Sequence, residues 1–207
     1  MFDFLKNNYN KIILILLFSF FIFISIWKYT NAVSSDISNS VFRLHIIANS
    51  DSEADQNLKL KVRDSILNYI NENTSQINSK DDVISFINSH QYELKKLAIN
   101  TVKNEGFDYD VSIEIGNFYF PTKDYGNVKF PAGNYDGLRI KIGKAEGKNW
   151  WCVMFPPLCL IDNSTCKMES DSLKLLEENL TKEEFSIISS SSPDIKFKFK
   201  LIELFNR

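Results

Sequence analysis

The chain has 207 residues, with 24 Lys and Arg, 26 Asp and Glu, two His and a formal charge of −2 at neutral pH. That balance lacks the concentrated basic face that nucleic acid or a polybasic membrane-surface binder requires. The length admits one domain with a substantial core.

The first element is the apolar run Ile12 to Trp27, IILILLFSFFIFISIW, which has no charge, no Pro and no Gly and only Ser19 and Ser25 as polar side chains. Lys6 and Lys11 precede it against Asp3 alone, the positive flank that stays in the cytoplasm while the other end crosses. Everything after about Ser34 is therefore expected outside the cytoplasm. The run falls between a signal-peptide core and a full spanning helix in length. Thr30-Asn31-Ala32 offers the small residues a signal peptidase reads, and Lys28 acts as a stop signal, so a cleaved signal and a retained anchor through residues 12–27 both fit. The chain divides into an export or anchor segment, 1–33, and an extracytoplasmic domain, 34–207. Without residues 1–32 the basic and acidic counts are 21 and 25, a mildly acidic domain.

From Val41 to Ala48, VFRLHIIA alternates Phe42, Leu44 and Ile46 with Arg43, His45 and Ile47, which predicts a strand with one charged face. Asn49-Ser50-Asp51-Ser52 supplies turn and N-cap chemistry, with Ser52 and Asp55 spaced as a capping box. The helix expected from Glu53 carries Leu58, Val62, Ile66 and Tyr69 or Ile70 on one stripe, with Lys59, Lys61, Arg63 and Asp64 mostly off it. A second helix is expected from Asp81 or Asp82 to about Asn104, with His90 on its apolar stripe as a core or edge histidine.

Beyond Gly106 the period falls to two. Tyr109 to Ile115 and Leu138 to Ile142 read as strands with one wet face, and Gly116-Asn117, Tyr125-Gly126-Asn127 and Gly133-Asn134 read as turns between them. Trp150 to Phe155, WWCVMF, is apolar on both faces, which predicts a central covered strand stopped by Pro156-Pro157. A short helix is expected from Ser172 to Leu180, a loop from Ser189 to Pro193, and a last strand in which Ile195, Phe197, Phe199 and Leu201 alternate with three lysines. The expected fold is a single α+β domain: an N-terminal strand, two helices, then a mostly antiparallel sheet.

Little here is built for catalysis. No phosphate-cradling loop, serine elbow or metal-ligand spacing occurs, and Cys152, Cys159 and Cys166 at intervals of seven match no zinc pattern. Metal, cofactor and small-molecule substrate are not expected. At most one disulfide forms among the three cysteines. The best enzymatic set is Cys152 activated by His45, with Asp51 or Asp162 orienting the imidazole, but Cys152 lies in the most apolar strand, where a thiolate is disfavoured.

Two segments, FRLHIIANSDSEADQNLKLKVRD and NWWCVMFPPLC, spend polar and aromatic residues beyond what a core requires. The first of them and GNYDGLRIKIGKAEGKNWWCVMFPPLC resemble the stage II sporulation protein R family of endospore-forming bacteria, over roughly Val41 to Asp162. The closing IKFKFKLIELF is similar to that family's last strand, and Gly137 stands where the family usually has Ala. The resemblance implies a signal and not an enzyme: a protein made in the forespore and exported between the two membranes. There it switches on a membrane-embedded aspartic protease of the mother cell, which removes the pro-sequence of sigma E. Partner contacts are expected on Arg43, His45, Asn49 and Asp51 with Trp150 or Trp151. The rival reading is a Cys152-dependent cell-wall hydrolase.

Overall fold

Helix α1, Phe2–Ser40, absorbs the whole apolar run, and a computed structural model describes residues 2–73, 79–156 and 170–189. Within α1 the stretch Asn8–Tyr29 is long and apolar enough to cross a membrane, and none of it is buried. Its 22 residues extend about 33 Å at 1.5 Å per residue, a match to a hydrocarbon core of about 30 Å. A core helix would be covered, and this one is bare.

The far end of α1 behaves differently. Ile37 is fully buried, and the Lys80 ammonium donates to the carbonyls of Ser38 (3.5 Å) and Asn39 (2.9 Å), which the last turn of a helix leaves without partners. Lys80 also pairs with Asp136 at 2.7 Å. The helix is thus tied to the domain before the chain enters β1, Phe42–Ile47.

Three helices follow: α2 (Glu53–Asn73), α3 (Lys80–Ser89) and α4 (Gln91–Asn104). The single helix expected across residues 81–104 is two, broken at His90. The break has a local cause. The Ser89 hydroxyl donates to the Phe86 carbonyl and the His90 ring stacks on Phe86 at 4.1 Å, a side-chain alternative to continuing the ladder. Breaking there lets Val83 and Ile87 of α3 and Leu94, Ala98 and Val102 of α4 all reach the core.

The strands are β2 (Val111–Phe120), the short hairpin β3 (Lys123–Asp124) and β4 (Lys129–Phe130), β5 (Gly133–Ile142) and β6 (Asn149–Phe155). Tyr125-Gly126-Asn127 turns the hairpin as expected, but Gly116-Asn117 and Gly133-Asn134 lie inside strands. Gly116 has ordinary extended backbone and pairs with Gly137, so β2 runs straight through it. The sheet order is β2-β5-β1-β6, with β1 parallel to β5 and the other two pairs antiparallel. Among the described residues, β6 is therefore an outer strand and β1 and β5 are the central ones, the reverse of the expectation for WWCVMF. A Cβ at Gly137 would stand 2.6 Å from the Arg43 carbonyl oxygen, so glycine sets how closely β5 meets β1.

Both faces of the sheet are used. Phe42, Leu44, Ile46, Leu138, Ile140, Cys152 and Met154 meet α2, α3 and α4 in one cluster. Phe120, Phe130, Tyr135 and Val153 meet the hairpin, the end of α1 and helices α5 (Ser170–Asn179) and α6 (Lys182–Ser189) in another. Helix α6 lies beyond the elements expected from the sequence, and Thr181 and Glu184 form a reciprocal cap at its start: each side chain accepts the other's backbone N–H, at 3.2 and 2.7 Å. The architecture is the expected α+β class. Cys159, Cys166, Asp162 and the alternating segment 195–201 lie outside the described residues.

Replacing Ile37 by Ala should lower the unfolding free energy by about 2–4 kcal/mol, whereas Asp36→Ala, at an exposed position, should change it by less than about 0.5 kcal/mol. Urea unfolding of the full chain in detergent, followed by tryptophan fluorescence, measures both.

Candidate functional site

Because β1 is central and covered, the face expected to be wet is interior. Arg43 has no exposed surface. Its guanidinium carbon lies 4.4 Å from the centre of the Phe120 ring, 4.9 Å from Tyr135 and 5.7 Å from Phe130, an aromatic cage in which no carboxylate pairs with it among the described residues. Nη2 donates to the Tyr125 hydroxyl at 3.0 Å, and that hydroxyl donates onward to the Trp151 carbonyl at 3.2 Å. Nε and Nη1 have no hydrogen-bond partner among the described residues. Burial pushes the Tyr135 phenol up to about 12 and raises that of Tyr125 as well, so both hydroxyls stay neutral. Arg43 is thus a structural cation and not a surface for a partner to touch.

Two residues on along β1, Glu114, Arg139, His45 and Trp151 form a row across β2, β5, β1 and β6. His45 is 4% exposed and stacks on Trp151 at 3.6 Å with the rings nearly parallel. Arg139 Nε donates to His45 Nδ1 at 3.2 Å, and a guanidinium can only donate. The ring proton is then on Nε2, which donates to Asn149 Oδ1 at 2.7 Å. Burial first, and the charges of Arg139, Arg43 and Lys141 after it, lower the His45 pKa to about 4, against the Asn149 hydrogen bond, which raises it. His45 is a neutral spacer. Arg139 lies 3.8 Å over the Phe118 ring and Lys141 meets Glu114 at 2.5 Å, so this half of the sheet face is polar and partly open.

At the carboxyl ends of β1 and β5, the two loops lock together. Asn49 Oδ1 accepts from the Lys144 backbone at 2.9 Å and its carbonyl from Glu146 at 3.2 Å, while the Ala48 carbonyl accepts from Gly147 at 3.0 Å. Asp51 Oδ1 accepts from the Lys148 backbone at 2.6 Å, and Lys59 Nζ donates to the Lys148 carbonyl at 3.0 Å. Beneath them Asp55 accepts from Asn49 Nδ2 (2.9 Å) and Ser50 Oγ (2.5 Å), and these bonds hold its carboxyl below its ordinary pKa against the opposing effect of burial. Any Cβ at Gly143 or Gly147 would collide with Asn49 or with the Ser50 carbonyl. The polar density of ANSDSEAD and the glycines of GKAEGK are therefore two halves of one joint. Of the expected contact residues, Asn49 is spent inside it, and Asp51 belongs to it while staying exposed.

The two tryptophans take opposite faces, as strand geometry requires. Trp150 faces the helices with Arg63 stacked on it at 4.4 Å, and its indole N–H has no partner among the described residues. Trp151 faces His45 and is partly exposed, with Lys123 Nζ at 5.9 Å. Cys152 pairs with Leu44 and His45 with Trp151, so thiol and imidazole lie on opposite faces of the sheet. The hydrolase constellation cannot assemble. Cys152 is also fully buried and disulfide-bonded, which leaves no thiolate to attack with. Among the described residues no group of three potential metal ligands occurs.

Comparison with known proteins places these features in one family. The family model described as stage II sporulation protein R matches residues 38–165. Stage II sporulation protein R of Bacillus subtilis (strain 168) is 36% identical over 128 residues, covering 62% of this chain and 57% of that protein, so the chain spans little more than half of that relative's length. No solved structure matches.

Two outcomes follow for the interior polar side chains Arg43 and His45. Arg43→Met, which fills the cage without a charge, should cost less than about 1.5 kcal/mol or stabilise, while Arg43→Glu should cost more than about 3 kcal/mol; chemical denaturation separates them. The pH dependence has a definite sign. His45 binds its proton less readily folded, at about 4, than unfolded, at 6.5. Its contribution is full above pH 6.5 and falls away as the pH drops towards 4, by up to about 3 kcal/mol. Across that window His45→Gln should flatten the stability curve.

Proposed function

The chain belongs to the stage II sporulation protein R family, and from that premise we propose that it is the exported forespore signal that activates a membrane-embedded aspartic protease of the mother cell. Activation leads to removal of the pro-sequence of sigma E. The family ties the chain to sporulation, and the partner and the reaction are our reading.

One observation carries it: the apolar helix and the interlocked loops are at opposite ends of β1. Helix α1 delivers the chain to Phe42, and the joint of residues 48–52 with 143–148 begins just past Ile47. Six residues of strand separate them, about 20 Å at 3.3 Å per residue. A segment lodged in one membrane and a loop pair at the other end of the sheet suit a message read by a receiver in a facing membrane. The contact falls on Asp51, Lys144 and Lys148, which are exposed there, with Trp151 at the flank; His45 and Asn49 hold this surface, and Arg43 supports it from within.

Switching requires a difference in binding. The loop pair must fit the protease's active arrangement better than its idle one, since equal affinity for both shifts nothing. A joint fixed by side-chain and backbone bonds meets that need, because little ordering remains to be done on contact.

The test keeps the joint and changes its charge. Asp51→Asn retains the acceptor for the Lys148 N–H, and Lys144→Glu leaves the backbone donor in place. The double variant should still fold and should lower sigma E processing about tenfold, equivalent to about 1.4 kcal/mol of lost contact. Unchanged processing by a folded double variant would remove the contact from this surface. No processing by the folded wild-type chain, in cells holding protease and unprocessed sigma E, would remove the signalling function itself.

A further inference from the structure

We propose that β2 is the pairing edge of a symmetric dimer, in which a second copy of the chain adds antiparallel along residues 111–119 and joins two four-stranded sheets into one of eight. Half of the backbone groups of β2 have no strand partner among the described residues. The Gly143 N–H donates to the Asp110 carbonyl. With the constant register of β2 on β5, that bond makes the even-numbered residues of β2 the hydrogen-bonded partners of β5. The odd-numbered residues, Val111, Ile113, Ile115, Asn117 and Tyr119, turn their N–H and C=O groups outward. Among the described residues this edge is touched by Gln91, whose Nε2 lies 3.5 Å from the Ile113 carbonyl, an exposed side chain at the limit of a hydrogen bond.

Folded proteins blunt such an edge with Lys, Pro, a bulge or a cover. β2 has none of the first three: its sequence is VSIEIGNFYF, its register with β5 runs unbroken for ten residues, and its one charge, Glu114, is engaged by Lys141. Tyr119 is 63% exposed at its end. Among the described residues this edge is left open, and a long apolar edge of that kind is a template for another strand.

That the strand comes from a second copy follows from the sequence of β2 itself. An antiparallel pair of identical strands must centre on one residue. Centring on Glu114 sets two carboxylates face to face, which like-charge pairing disfavours. Centring on Ile115 pairs all nine residues from 111 to 119, with Val111 opposite Tyr119, Ile113 opposite Asn117, and each Glu114 opposite Gly116, where no side chain meets it. The bare helix Asn8–Tyr29 adds to this: lodged in one membrane, it confines copies to a plane and raises their effective concentration.

Gly116 gives a test that separates pairing from folding. Its added Cβ would make only ordinary contact with Phe118, at 3.5 Å. Gly116→Glu places a carboxylate opposite Glu114 of the second copy twice per dimer, and Gly116→Lys places an ammonium there at the same cost to the strand. The full chain in detergent, with its protein mass taken from sedimentation or light scattering, should contain two copies. The Glu variant should dissociate about tenfold more readily, and the Lys variant should pair at least as tightly as wild type. A single-chain mass for wild type at every concentration overturns the proposal, and decides alone if neither variant folds. A dimer that both variants leave intact, or weaken equally, also overturns it, because the pairing then runs elsewhere, such as through α1. A monomeric wild type whose Gly116→Glu form loses sigma E processing gives the edge to another protein and overturns the dimer.

Discussion

The central strand β1 must be dry on both faces although two of its six side chains, Arg43 and His45, are polar. Everything distinctive in the molecule answers that constraint. On one face Phe42, Leu44 and Ile46 need only apolar partners from α2, α3 and α4, and they get them. On the other, Arg43 and His45 enter a low-dielectric layer where an isolated charge is costly. The chain solves the two positions differently. Arg43 keeps its charge and is surrounded by ring faces, whose quadrupoles attract a cation, with one hydrogen bond to Tyr125. His45 gives its charge up, because a guanidinium already donates to one nitrogen and an amide oxygen accepts from the other.

This explains which parts of the fold could be read in the sequence. Alternation from Phe42 to Ile47 specifies a strand and its two faces without saying that both faces are covered, since that depends on where β5, β6 and the hairpin fall later in the chain. Arg43 therefore looked like surface, when the phenylalanines and tyrosines that cage it lie between Phe120 and Tyr135, some 80 residues away in the chain. Glycine misled in the same way. Gly116 reads locally as a turn, but opposite Gly137 it is a flat place in a long strand. The helix break at His90 rests on a hydroxyl-to-carbonyl bond that a hydrophobic stripe does not register. Helix α6 also lies outside the expected elements, and its capping pair Thr181 and Glu184 is a polar signal that a hydrophobic stripe does not register.

The functional residues divide along the same line. ANSDSEAD and GKAEGK stand out as sequences because the joint constrains them position by position, with an acceptor for a particular backbone N–H, a glycine where a Cβ would collide, and a carboxylate beneath two donors. Those constraints are structural, and they account for Asn49, Ser50 and Asp55 without any partner. What they create is a rigid two-loop surface whose remaining exposed side chains, Asp51, Lys144 and Lys148, are available for recognition. A sequence signature can thus mark a recognition site while most of its residues never touch what is recognised.

Rigidity also links the ends of the molecule. Lys80 bonds to the last carbonyls of α1 and pairs with Asp136, and Asp136 accepts from Asn117 in β2 at 3.0 Å. From β2 the register passes through β5 to β1, and β1 ends in the two-loop joint. The path from the apolar helix to the exposed loops therefore runs through paired strands and charged contacts, with no flexible linker in it. Gly/Ser-rich tethers let a domain sample many orientations; this connection holds the loops in one. Were the helix cut after Ala32, the domain would keep Ile37, Val41 and the Lys80 tie, since all of them lie beyond the cut, and the same loop surface would persist in the released form. Whether tethered or free, the chain displays one fixed face, and the constraint on β1 is what fixes it.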